Sequence, residues 1–91
     1  MMWPTKKQQL EALAMQAYTA AQQAESLYEL RQYSTDELRA AIGAWDHAAY
    51  RARLVVSSFG RDKDLTVKWE QRQLAWSKNA ERLRALLYYE E

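Results

Sequence analysis

The stretch AIGAWDHAAYRARL, residues 41–54, holds the two adjacent side chains best suited to chemistry, the carboxylate of Asp46 and the imidazole of His47. An acid can orient a histidine as a general base, and a histidine with carboxylates can hold a metal ion. Helical spacing excludes both uses here. Successive helix residues diverge by about 100° around the axis, so Asp46 and His47 do not face each other. A helical histidine reaches the residues three and four places away, which are Gly43, Ala44, Tyr50 and Arg51. None of these is a serine, a threonine or a carboxylate, and Arg51 repels a cation. His47 is the only histidine and there is no cysteine, which removes thiolate zinc sites, disulfides and cysteine nucleophiles together. Gly-rich phosphate loops and paired-carboxylate motifs are also missing from the sequence. The reading predicts no catalytic residue, no metal ligand and no cofactor, and therefore a protein that is not an enzyme.

Two other features could carry chemistry. Gln73 lies between Trp69 and Trp76, where it reads as a buried polar group fixing helix register, bonded to a tryptophan indole. The tryptophans stand seven residues apart and read as core, because a base-stacking platform needs an aromatic face open to solvent.

The elements that position these residues are helices. Two glycines and one proline in 91 residues leave little material for the turns of a β fold. An apolar content of 48% with 27% charge places the chain among globular domains rather than disordered ones. Thr5-Lys6-Lys7-Gln8 matches a capping box, and Leu10, Leu13, Ala14, Ala17, Ala21, Ala24 and Tyr28 follow on one face. Ser34-Thr35-Asp36-Glu37 is a second capping box with acids in the first turn. Leu38, Ile42, Trp45, Ala49, Ala52, Val56 and Phe59 then step by four and three up to Gly60, a C-terminal stop. Asp62 or Asp64 caps a third helix, whose seam is Trp69, Gln73, Trp76, Ala80, Leu83 and Leu87. The predicted helices cover about 6–31, 35–59 and 64–88, with a frayed tail at Tyr88-Tyr89-Glu90-Glu91. Short connections make neighbours antiparallel, so the fold expected is an all-α, three-helix up-down-up bundle in a single domain. The slim alanine seam of helix 1 leaves one alternative, a long helical hairpin that dimerises.

With the helix 2 seam turned inward, Arg39, Gly43, Asp46, Tyr50 and Arg53 form a stripe at its edge, and His47 and Leu54 point further out. Tyrosine and arginine are favoured at interfaces, so Arg39, Asp46, His47, Tyr50, Arg53 and Leu54 are the candidate partner-binding residues. Met15, Leu30, Leu54, Val67, Leu74 and Leu86 miss the seams and mark a partner surface if they lie together.

The net charge is +1. The densest basic stretch supplies Arg51, Arg53, Arg61, Lys63, Lys68 and Arg72, interrupted by Asp62, Asp64 and Glu70. These are the candidate nucleic-acid contacts, although no segment has the footprint of an autonomous DNA binder. No apolar run reaches the length of a membrane span, and the expected location is the cytoplasm.

Several of these residues also carry a family likeness. Thr5-Lys6, Leu10, Leu13, Ser34, Glu37-Leu38 and Ala44-x-Asp46-His47 resemble the Hha/YmoA family of small helical nucleoid-associated modulators. That family carries a threonine–lysine start, an Asn/Asp-Glu-Leu helix start and an Ala-Asp-His-Arg motif, and the anchors align without a gap over residues 5–47. The resemblance implies a non-enzymatic partner of H-NS-type DNA-binding proteins, which docks on their dimerisation domain and adjusts gene silencing. It places a docking role on Asp46. Ala48 stands where the motif has arginine, the family's other acidic contacts fall on alanine and glutamine, and the third helix exceeds the family's.

The function expected is therefore binding and modulation of another protein, with an H-NS-type nucleoid protein as the partner the resemblance suggests. A phage or mobile-element inhibitor of host machinery, such as an anti-CRISPR, is a second role within that class. Nucleic-acid binding and self-assembly as a homodimer through helix 1 are the alternatives from other classes.

Overall fold

The computed structural model describes residues 5–32, 34–59 and 62–90. Three helices follow in order, α1 (Lys6–Leu30), α2 (Thr35–Phe59) and α3 (Lys63–Glu90), and no strand occurs among the described residues. The all-α three-helix bundle is the observed fold. Among the described residues no helix is long and apolar enough to cross a membrane.

The caps of α1 and α3 follow the sequence. The Thr5 hydroxyl accepts from the Gln8 backbone N–H at 3.1 Å, and the Gln8 side chain accepts from Thr5 N–H at 2.9 Å, which closes the capping box of α1. At α3 the cap is Asp62 rather than Asp64, since the Leu65 N–H donates to Asp62 Oδ1 at 3.2 Å. Between α1 and α2 the chain turns through Gln32 at φ 56°. That left-handed conformation usually falls to glycine or asparagine and costs another residue about 1 kcal/mol. The expected stop at Gly60 lies outside the described residues. α3 runs two residues past its expected end, because nothing after Leu87 breaks a helix, although Tyr88 and Tyr89 are exposed.

α2 is the middle helix. α1 packs on one side of it and α3 on the other, and the molecule measures 46 × 28 × 13 Å. α1 and α3 meet mainly through side chains. Met15 faces Arg72, Tyr18 faces Trp76 and Glu25 faces Arg82. The near-constant sequence offset of these pairs shows that α1 and α3 run parallel, with α2 antiparallel to both.

This placement explains where the core reading was too narrow. Beyond the predicted seam, α2 also buries Ala41, Ala48 and Val55, because a middle helix needs two packing faces. Leu13, expected inward, is 40% exposed, since α1 presents only the narrow face of Ala14, Ala17, Ala21 and Tyr28 to its neighbour. Trp45, Trp69 and Trp76 are all buried in the core. Small side chains on α1 against these large ones let the layers interdigitate.

Candidate functional site

The candidate docking residues of α2 lie on its outer side, opposite the core. Gly43 is at the centre of this face and is exposed. A Cβ built on it meets nothing within 4 Å, so no internal packing requires a glycine there. In a helix interior glycine is worse than alanine by up to about 1 kcal/mol. Two turns further, Tyr50 is 52% exposed and its ring lies 6.5 Å from that of His47. Arg51 Nε sits 3.4 Å from His47 Nε2, a long contact that ties the imidazole to its own helix. Arg39 and Arg53 are exposed on the same side. Leu54 is half-buried rather than exposed.

Asp46 has a partner that the sequence reading did not foresee. Its Oδ2 accepts from Arg84 Nη2 of α3 at 2.7 Å, and both side chains remain about half exposed. The acid is therefore balanced within the molecule, yet solvent and any docked partner can reach it. Among the described residues, no three His, Asp or Glu side chains gather as a metal ion would need.

The opposite side of α3 builds a second polar centre. Glu25 Oε1 accepts from the Trp45 indole N–H at 3.0 Å and from Arg82 Nη2 at 2.8 Å. Above it, Tyr18 stacks on Trp76 with centroids 4.9 Å apart and meets Trp45 edge-on at 5.8 Å. Gln22 Nε2 donates to the Tyr18 hydroxyl at 2.8 Å. Between α1 and α3 this leaves an open cleft of about 470 Å³, edged also by Ser26, Ala75 and Asn79. The sequence contained a signal for it. Tyr18 and Glu25 stand seven residues apart beside the alanine stripe of α1, as Trp76 and Leu83 do on α3. The expected bond from Gln73 to an indole is not what forms. Gln73 is only half-buried, and Trp45 is satisfied by Glu25.

The candidate nucleic-acid contacts do not assemble into one surface. Arg72 lies over the Trp69 ring at 4.5 Å and reaches the Met15 sulfur, so it belongs to the α1–α3 packing. Arg51 is half-buried on α2 beside His47. Lys63 and Lys68 are exposed on α3 but five residues apart, hence on different sides of the helix. Arg61 lies outside the described residues. The off-seam apolar residues are spread over the helices. Met15 and Leu30 are on α1, while Val67, Leu74 and Leu86 are on α3. Compared with known proteins, the chain matches no family model, no curated protein and no solved structure.

Proposed function

We propose that this protein acts by binding another protein and modulating it, and that it docks through the outer face of α2. The observation that carries this reading is Gly43. A glycine in mid-helix that serves no internal contact lets a partner's backbone or side chain approach the helix closely. Tyr50 and Arg53 follow two and three turns along the same exposed face, with side chains favoured at interfaces. Asp46 offers a half-exposed carboxylate whose present partner, Arg84, is equally exposed. A partner's arginine can replace Arg84 on Asp46. An H-NS-type nucleoid protein is the partner suggested by the likeness over residues 5–47.

The test is capture from nuclease-treated extract of the source cells, followed by titration of the recovered protein against wild type, Asp46→Arg and Tyr50→Ala. Circular dichroism first establishes that both variants keep wild-type helicity. Removing one member of a close charge pair at an interface costs about 2–5 kcal/mol, at least a thirtyfold rise in Kd. Equal affinity for wild type and both variants overturns the docking assignment. Recovery of a nuclease effector complex in place of a nucleoid protein makes the modulator an inhibitor of host machinery.

A further inference from the structure

The outer face of α1 differs from every other exposed face of the molecule. α1 has no charged residue between Glu11 and Glu25. Ala12, Gln16, Thr19, Gln23, Leu27 and Leu30 step by three and four along the side away from α2, and all six are exposed. Leu27 is 45% and Leu30 78% exposed. The Thr19 hydroxyl donates to the Met15 carbonyl of its own helix at 3.1 Å, so the residue needs no outside acceptor for its proton. Two shallow depressions run along this face and share Thr19 and Gln23.

We infer that this face docks a second copy of the chain, α1 against α1. Depletion of charge is what distinguishes the core of an interface from ordinary surface. A charged surface set here would lose its water and find no counter-charge, so the occupant must itself be an uncharged helix face. The outer faces of α2 and α3 do not qualify, since they carry Arg39, Asp46 and Arg53 or Lys63, Lys78 and Glu81. The α1 face does qualify, and a two-fold contact places it on itself. The three-and-four spacing is that of a helix–helix seam, and small side chains at Ala12 and Thr19 allow close approach. The alanine stripe expected to close a dimer, Ala14, Ala17 and Ala21, is already buried inside the molecule. The dimer face is the opposite one. A 25-residue helix offers a strip of about 37 by 10–12 Å, on the order of 400 Å² in projection. That is about half of what each partner of a standard interface buries, so the dimer is transient and forms with rising concentration.

Sedimentation velocity of the full chain across about 10 µM to 1 mM reads this directly, since the apparent mass of a transient dimer follows protein concentration. The expected result is a rise from 10.7 kDa towards twice that mass. Gln16→Glu with Gln23→Glu puts two acids on the face and weakens association by at least about tenfold. The matching Gln16→Lys with Gln23→Lys variant does the same alone, and an equimolar mixture of the two restores a two-chain species at low salt. This restoration separates an interface effect from damage to the fold. A one-chain mass at every concentration overturns the inference. So does association that neither charged variant weakens. Asp46→Arg leaves the dimer unchanged, so failure here is distinct from failure of the α2 docking face.

Discussion

Two arginines on α3, only two residues apart, reach in opposite directions and do different work. Arg82 turns to α1 and binds Glu25, while Arg84 turns to α2 and binds Asp46. The distances are nearly the same, at 2.8 and 2.7 Å. The surroundings are not. The Glu25 side chain is 23% exposed, holds the Trp45 indole with the same oxygen, and lies beside the Tyr18–Trp76 stack. Asp46 is 51% exposed and holds Arg84 beside an open helix face. One carboxylate joins three helices, and the other joins two at a surface where water competes for it. An ion pair contributes to a fold in proportion to what it excludes from water and what else depends on it. The first pair is thus part of the architecture. The second can be exchanged for a partner's charge at little cost to the fold.

Glu25→Ala should break the first side of this contrast. It removes the acceptor of a buried indole and the anchor of Arg82 together, and a bond to a charged group is worth about 1.5–3 kcal/mol. Urea unfolding should show a midpoint shift of that size with an unchanged slope. Glu25→Gln keeps an acceptor for the indole and loses only the charge, so it falls between wild type and alanine. If Glu25→Ala costs no more than Asp46→Ala, the two pairs are equivalent and the contrast fails.

The same contrast marks how far the sequence could be read. The caps of α1 and α3 and the seams are legible because they are local, resting on spacings of three and four and on a Thr or Asp beside them. The middle position of α2 was written less plainly, in the doubled apolar pairs Ala41-Ile42, Ala48-Ala49 and Val55-Val56, which give one helix two packing faces. The turn at Gln32 was not legible, because no glycine or asparagine stands there to announce a left-handed residue. The exposure of Asp46 is legible on a helix wheel, but its pairing with Arg84 is not. They are 38 residues apart, and only the packing of α3 on α2 decides which of the chain's arginines meets it. Glu25 was missed for the same reason, since its partners come from two different helices.

Gly43→Ala sharpens the contrast from the other side, because there stability and binding should move in opposite directions. With no heavy atom within 4 Å of the added methyl, the substitution fits without strain. It should stabilise the fold by up to about 1 kcal/mol through helix propensity alone. Affinity for the captured partner should nevertheless fall, because the methyl occupies the approach to the helix. A stabilised variant with wild-type affinity would make Gly43 an incidental weakness of α2 and would remove the main support for docking at that face.

The smallest expected effect is the most discriminating. Asp46→Ala, Arg84→Ala and their double variant form a cycle that isolates the coupling between the two side chains. Half-exposed pairs of this kind typically couple by about 0.2–1 kcal/mol, and the value falls as salt is added. In the free protein the cycle should lie at the lower end of that range. Asp46→Ala should therefore scarcely move the unfolding midpoint, even though it removes the carboxylate proposed to meet the partner. Repeating the cycle on partner affinity should give a different answer. Asp46 should matter strongly there and Arg84 weakly, because the partner's own cation takes the place of Arg84. A free-protein coupling as large as the cost of Glu25→Ala would mean that Asp46 is bound to its own fold. The acid would then be no more available to a partner than Glu25 is.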